Sequence, residues 1–184
     1  VMYEEYQLFG AEETLKGNPV ALWANASNIA NRISYFFNFH GPSMAVDTMC
    51  SSSLTAIHLA CESIQNGNCA LAIAGGVNVS IHPNKYIMLS QNAFLSSKGK
   101  CESFGEGGEG YVPSEGVGAV LLKPLHQAVL DGDHIYGIIK ATSVNHGGQT
   151  NGESVPQPLA HGVILQKALQ KAGIQPKDIS YKKA

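Results

Sequence analysis

The sequence lacks several features that mark common classes of protein. Its 184 residues carry 12 basic and 14 acidic side chains, a formal charge of −2, so there is no basic surplus of the kind that binds nucleic acid or an anionic membrane. No apolar run approaches the roughly 20 residues that span a bilayer, and Val1–Glu5 lacks the basic and apolar regions of a signal peptide. These absences predict a cytoplasmic protein without nucleic-acid or membrane partners.

Cysteine is scarce, and its spacing excludes two kinds of site. None of the four cysteines forms a C-x-x-C pair, so neither a zinc site nor a dithiol redox motif is indicated. A cytosolic chain is expected to keep them reduced. The default interpretation of each is a small buried hydrophobe, and only one has a sequence context that favours another role. The cysteines are Cys50, Cys61, Cys69 and Cys101.

The spacing of apolar residues predicts alternating helices and strands. Turn residues and helix-stop glycines mark their ends. Alternation of this kind is typical of an α/β protein with a largely parallel or mixed sheet. The predicted helices are Asn28–Phe37 with Ser27 as its N-cap, Ser51–Gln65 and Leu159–Lys171; the predicted strands are Ser43–Thr48, Ala70–Gly76, Gly116–Leu122 and Ile135–Val144.

The chemistry-bearing stretch is Val46–Leu54 (VDTMCSSSL), which puts a thiol between a predicted strand and a predicted helix. Unpaired amides at a helix N-terminus stabilise a thiolate, the competent nucleophile. The same amides can donate to the oxyanion that forms when a thioester carbonyl is attacked, which is worth roughly 3 kcal/mol per donor. We therefore predict that Cys50 is an acyl-accepting nucleophile at the bottom of a pocket, with its own backbone amide as an oxyanion donor.

Three segments together resemble one enzyme family. Asp47–Leu54 resembles the active-site signature of polyketide-type ketosynthases, and Ser103–Ala119 resembles the glycine-rich segment of that family. Asn145–Gly152 resembles a later loop that lies toward the pantetheine entrance in the family. The resemblance covers essentially the whole chain, in the right order and spacing.

This resemblance implies a β-ketoacyl synthase domain of a modular type I polyketide synthase. The expected fold is the thiolase-like α/β/α/β/α layered fold, represented by an incomplete portion: about residues 1–130 for most of the N-terminal half and about 131–184 for the start of the C-terminal half. Cys50 would accept an acyl chain from an acyl carrier protein for decarboxylative Claisen condensation with a malonyl-type extender. No cofactor would bind directly, because substrates arrive on 4'-phosphopantetheine. The other expected partners are a second copy, giving a homodimer, and neighbouring synthase domains.

Two further expectations follow from that resemblance. The family's two catalytic histidine motifs, His-Gly-Thr-Gly-Thr and a later Gly-His, are absent from this sequence, so the chain is expected to be a partial domain that is inactive in condensation by itself. Met49 and the Asn-His-Gly-Gly sequence favour systems whose acyltransferase is a separate protein. The residues implied to line the pantetheine entrance or the pocket are Met49, Asn145, His146 and Thr150.

Other motifs are interpreted as structural. Gly105–Gly110 satisfies G-x-G-x-x-G, but no strand precedes it and no helix follows, so close backbone approach is favoured over dinucleotide binding. Asp47 is expected to brace the turn rather than serve a triad, and His58 to be a satisfied helix histidine. The cluster of Tyr35, Phe36, Phe37 and Phe39 favours core packing or a dimer contact. A solvated surface position is expected for His40, His82, His126, His134 and His161.

Two other functions stay open at this point. One is a ketosynthase module that transfers or binds acyl chains without elongating them. The other is a cysteine-dependent thioester hydrolase, which is less favoured because no base can be placed near Cys50.

Overall fold

The computed structural model of the chain describes residues 5–152 and 155–182. Helices dominate, and the two strands are hydrogen-bonded neighbours in one sheet, which fits the predicted α/β class. The elements are α1 (Glu5–Leu15), α2 (Ser27–Phe37), a 3₁₀ turn (Met49–Ser51), α3 (Ser52–Gln65), β1 (Ala72–Asn78), α4 (Asn84–Gln91), β2 (Gly116–Leu122), α5 (Leu125–Leu130), α6 (Pro158–Ala172) and a second 3₁₀ turn (Pro176–Asp178).

The chain divides into two compact units. The first unit contains the described residues up to Ser53 together with Ala74–Val120. It therefore holds α1, α2, the turn around Cys50, α4 and the glycine-rich segment. The second unit contains Leu54–Ile73 and the described residues from Leu121 onward, and so holds most of α3 together with α5 and α6.

The predicted elements with clear stop signals are confirmed. α3 ends at Gln65 before Gly67, whose φ is 74°, and β2 has the predicted bounds. α6 begins with Pro158, and the Gln157 side chain accepts a hydrogen bond from the Leu159 amide at 3.4 Å. It ends at Gly173, a left-handed residue. These are the proline-first and glycine-last signals of helix ends.

Other predictions about the elements are wrong. Neither Ser43–Thr48 nor Ile135–Val144 forms a strand, because a strand needs a hydrogen-bonded neighbour and the part of the chain that the structure describes gives them none. Ser27 is not an N-cap but the first residue of α2. Three helices were not predicted at all: α1, α4 and α5.

Many apolar side chains lie open on the two units. Few apolar residues are buried, among them Ala74 and Leu89 in the first unit. In β2, Val117 is 80% exposed although strands of this composition are normally covered on both faces. In α2, the rings of Phe36 and Phe37 meet edge-on at 5.0 Å and stay mostly exposed, so core packing of this cluster is not seen within the described residues. These faces are suited to packing against further protein structure.

Candidate functional site

Cys50 lies in the short 3₁₀ turn Met49–Ser51, directly before α3 begins at Ser52. This confirms the predicted position at the entrance to a helix. The Ser51 amide donates to the carbonyl of Thr48 at 3.3 Å, and the Ser51 hydroxyl donates to the same oxygen at 2.8 Å. The turn is therefore closed by local hydrogen bonds that bring the chain around at the cysteine.

Within the described residues the Cys50 side chain is not enclosed, so the pocket around it stays a prediction. The Cys50 side chain is exposed, and its neighbours Met49 and Leu54 are 63% and 71% exposed. One cavity, of about 590 Å³, lies elsewhere in the first unit, beside α1. It is lined by residues such as Gly10, Leu22 and Asn25.

Asp47 braces the turn, as expected. Its Oδ1 accepts a hydrogen bond from the Met49 amide at 3.0 Å. The backbone of Met49 has a positive φ of 56°, which the sequence did not indicate. On the other side of the turn, Gly76 of β1 approaches Ser53 so closely that a Cβ at position 76 would overlap its hydroxyl.

Tyr111 lies near Cys50, and the sequence interpretation gave it no role. Burial raises the pKa of the Tyr111 phenol, and the negative charge of the Cys50 thiolate raises it further. The Tyr111 amide donates to the Phe94 carbonyl at 2.9 Å, and the Ser96 amide donates to the Tyr111 carbonyl at 3.1 Å. Backbone hydrogen bonds therefore fix Tyr111 in the glycine-rich segment, and nothing in the sequence indicated its electrostatic interaction with Cys50.

The glycine-rich segment is a folded loop without the features of a dinucleotide site. It leads into the strand β2 rather than into a helix, as the sequence predicted. A Cβ on Gly110 would lie 2.5 Å from the Leu95 carbonyl carbon and 2.6 Å from the Ser96 nitrogen. Lys98 Nζ closes the loop by donating to the Gly107 carbonyl at 3.1 Å. The glycines therefore permit the close backbone approach that was predicted.

The later loop, residues 145–152, lies in the second unit and is held by its own contacts. Asn145 Nδ2 donates to the Ala160 carbonyl at 2.8 Å, and the Gly148 amide donates to His146 Nδ1 at 2.9 Å. Thr150 Oγ1 donates to the Gly152 carbonyl. The assignment of Asn145, His146 and Thr150 to a pantetheine entrance stays a prediction.

The histidines follow expectation with one exception. His58 is buried in α3, with Nδ1 2.7 Å from Thr142 Oγ1 and Nε2 3.4 Å from Glu62 Oε1, so it is a satisfied helix histidine. His82 was expected on the solvated surface, yet its Nε2 lies 3.0 Å from Glu12 Oε1 and its side chain is only 15% exposed. The expectation for His82 is wrong because α1, which carries Glu12, was not predicted. The remaining expected surface histidines are exposed: His40, His126, His134 and His161.

The cysteines differ in exposure, which gives a first test of their expected reactivity. Burial raises the pKa of the Cys61 thiol above its usual 9.0. At any given pH, the fraction of Cys61 in the reactive thiolate form is therefore smaller than for a thiol with the usual pKa. We expect iodoacetamide to alkylate Cys61 more slowly than the exposed Cys50, with Cys61 labelling rising only as the pH becomes alkaline. Peptide mass mapping after timed alkylation over a pH series measures this. Equal rates at neutral pH would contradict it.

The described residues contain neither a cluster of metal-ligating side chains nor a membrane-spanning helix. Among residues 5–152 and 155–182, no group of three or more metal-ligating side chains comes together. None of the helices in the described ranges combines the length and apolar character of a membrane span.

Comparison with known proteins finds one family throughout. Residues 1–128 match the family described as "Beta-ketoacyl synthase, N-terminal domain", and residues 136–184 match "Beta-ketoacyl synthase, C-terminal domain". The chain is 68% identical over 181 residues to polyketide synthase PksL of Bacillus subtilis, covering 98% of this chain and 4% of that protein. It is 61% identical over 184 residues to polyketide synthase ThaG of Burkholderia thailandensis, covering 100% of this chain and 3% of that protein.

Solved structures agree with these relatives. The oxazolomycin ketosynthase domain OzmH KS7 of Streptomyces albus JA3453 superposes with a TM-score of 0.94 at 56% identity, covering 98% of this chain and 31% of that one. The ketosynthase from module 6 of the bacillaene synthase of Bacillus subtilis 168 gives a TM-score of 0.87 at 38% identity, with the same coverage. This chain therefore spans about a third of the length of these solved ketosynthases and a few per cent of the curated synthases.

Proposed function

Because this chain belongs to the β-ketoacyl synthase family of the polyketide synthases and has its thiolase-like fold, we propose that Cys50 accepts the growing acyl chain as a thioester. The observation that carries this proposal is the position of Cys50: an exposed thiol in a tight turn directly before α3. None of the other cysteines lies at the start of a helix. Cys61 lies within α3, and Cys69 and Cys101 lie in loops.

The proposed chemistry has two stages. In the first, the Cys50 thiolate attacks the carbonyl of an acyl thioester on a carrier protein; the new carbon–sulfur bond forms, and the carrier leaves as a thiol. In the second, a malonyl thioester on a carrier protein loses carbon dioxide, and the resulting enolate attacks the acyl group on Cys50. A carbon–carbon bond forms, and the bond to Cys50 sulfur breaks. The backbone amide of Cys50 is the proposed donor to the oxyanion at each attack on a carbonyl.

Further groups belong to this proposal. The two histidine motifs that assist decarboxylation in the family are not in this sequence, so other parts of a complete domain would supply them. No cofactor would bind directly, because the acyl and malonyl groups arrive on 4'-phosphopantetheine of acyl carrier proteins. The residues proposed to line the pantetheine entrance or the pocket are Met49, Asn145, His146 and Thr150.

The proposal also covers the partners, the cellular location and the domain organisation of the chain. We expect a homodimer, neighbouring polyketide synthase domains and a cytoplasmic location, and the four unpaired cysteines support a reducing compartment. Residues 1–130 are proposed to belong to the N-terminal half of the fold and residues 131–184 to the C-terminal half. Met49 and the Asn145–Gly148 sequence favour a synthase whose acyltransferase is a separate protein.

The complete domain containing this chain tests the function. Incubated with an acylated carrier protein and a malonyl carrier protein, it is expected to release carbon dioxide and form a β-ketoacyl product, both measured by mass spectrometry. Acylation of Cys50 without carbon dioxide release would support the alternative, a non-elongating acyl-transfer module. Hydrolysis of the acyl thioester as the main outcome would contradict the proposal and support a thioester hydrolase.

A further inference from the structure

Met49, the residue before Cys50, has an unusual backbone conformation. Its φ of 56° lies in the left-handed region, which glycine adopts easily, asparagine and aspartate occasionally, and methionine only at a cost. A methionine stays there only when its surroundings hold it. Three other described non-glycine residues share this conformation, and none of them is next to a cysteine: Asn38, Ala93 and Phe104.

The side chains of Asp47 and Ser52 form hydrogen bonds with the amide and the carbonyl of Met49. The Met49 amide donates to Asp47 Oδ1 at 3.0 Å. The Met49 carbonyl accepts from Ser52 Oγ at 2.6 Å and also from the Ser52 amide. Ser52 Oγ in turn accepts from the Thr48 amide at 3.0 Å. Both polar backbone groups of Met49 are therefore bound by side chains that flank Cys50 in the sequence.

We infer that Asp47 and Ser52 are positioning residues, which hold Met49 in the left-handed conformation and thereby direct the thiol and the amide of Cys50. This inference rests on the proposed role of Cys50 as the nucleophile. The peptide between Met49 and Cys50 carries the Cys50 amide, so a change in the Met49 backbone turns both the oxyanion donor and the direction of the Cys50 side chain. We call the pair of Asp47 and Ser52 the clamp, and it acts on Cys50 through the backbone of Met49.

A charge effect of Asp47 is the alternative, and it predicts a different pattern. A carboxylate near the thiol would disfavour the thiolate, whereas the clamp needs only an oxygen that accepts from the Met49 amide. Asp47→Asn keeps that oxygen and removes the charge. The clamp therefore predicts wild-type acylation for Asp47→Asn and impaired acylation for Asp47→Ala, while a charge effect predicts the same change in both.

Met49→Gly supplies a second, independent control. Glycine takes positive φ without strain, so a chain with glycine at position 49 has less need of the clamp. Asp47→Ala should therefore impair acylation less in the Met49→Gly background than in the wild type. This departure from additivity is the signature of a direct connection between the two residues.

The test uses the complete domain with a short-chain acyl N-acetylcysteamine thioester as the probe. Asp47→Ala and Ser52→Ala are each expected to lower the acylation rate at saturating thioester about tenfold, while KM stays unchanged. The reason is that the left-handed conformation of a residue with a Cβ costs on the order of the free energy that corresponds to a tenfold change in rate. Asp47→Asn should acylate at the wild-type rate. Wild-type rates in both alanine variants, or equal losses in Asp47→Ala and Asp47→Asn, would overturn the clamp.

Alkylation of Cys50 by iodoacetamide, followed by peptide mapping, separates the clamp from the proposed function. If the wild-type domain is not acylated at Cys50, the proposed function is wrong. The alkylation rates of the same variants then still show whether Asp47 and Ser52 position Cys50. Thermal unfolding checks that each variant is folded. Should Asp47→Ala not fold, Ser52→Ala tests the clamp from its other side, with the same expected loss and the same overturning result.

Discussion

Replacing Cys50 by alanine is expected to abolish acyl loading of the complete ketosynthase domain while leaving it folded. The thiol sulfur is the atom that forms the thioester, and loss of a covalent nucleophile costs about a thousand-fold or more in rate. Because the Cys50 side chain is exposed in this chain, alanine creates little cavity here and should cost little stability. Intact-mass analysis after incubation with an acyl thioester measures the loading, and thermal unfolding measures the fold.

Cys101→Ala is the matched control, because Cys101 is the other exposed cysteine. Its Sγ accepts a hydrogen bond from the Val112 amide at 3.1 Å and lies in the loop that leads to β2. Loading should persist at the wild-type level in Cys101→Ala. Retained loading in Cys50→Ala together with lost loading in Cys101→Ala would make Cys101 the nucleophile.

Replacing Gly110 by alanine is expected to destabilise the domain by about 3 kcal/mol, at the upper end of overpacking effects. A Cβ at this position would lie 2.5 to 2.7 Å from the backbone of Leu95 and Ser96, and backbone atoms cannot rotate away as a side chain can. The loop must therefore open at the point where the Ser96 amide bonds to the Tyr111 carbonyl. Urea unfolding of the complete domain measures the free-energy change.

Gly162→Ala is the control for this prediction. Gly162 lies within α6, and a Cβ there would meet no atom within 4 Å. Alanine is the better helix former by up to about 1 kcal/mol, so stability should stay equal or rise. Equal stability of Gly110→Ala and the wild type would show that the close approach at Gly110 is not maintained in the domain.

Local signals explain why α3 and α6 were predicted, although α1, α4 and α5 were missed. The bounds of α3 and α6 depend on local apolar spacing and on Gly67 and Gly173, which act within a few residues, so the sequence predicted both helices. Strands depend on distant partners. Ser43–Thr48 and Ile135–Val144 have strand-like composition but no pairing among the described residues, and composition alone could not reveal that.

In the candidate site, too, features that depend on neighbouring residues were predictable and a feature that joins distant residues was not. The position of Cys50 before a helix was predictable because the turn and the helix are adjacent in sequence, and the brace by Asp47 spans two residues. The left-handed backbone of Met49 was not predictable, since glycine and asparagine are the residues that usually signal it. The electrostatic interaction between Tyr111 and Cys50 joins positions far apart in the sequence, so no local pattern indicated it.

Mapping of the acylated residue tests whether Cys50 is the nucleophile. The complete domain is incubated with an acylated carrier protein and digested at mildly acidic pH, and the acylated peptide is sequenced by mass spectrometry. The account predicts the acyl mass on Cys50 alone. Acyl mass on Cys61, Cys69 or Cys101, with Cys50 unmodified, would contradict it.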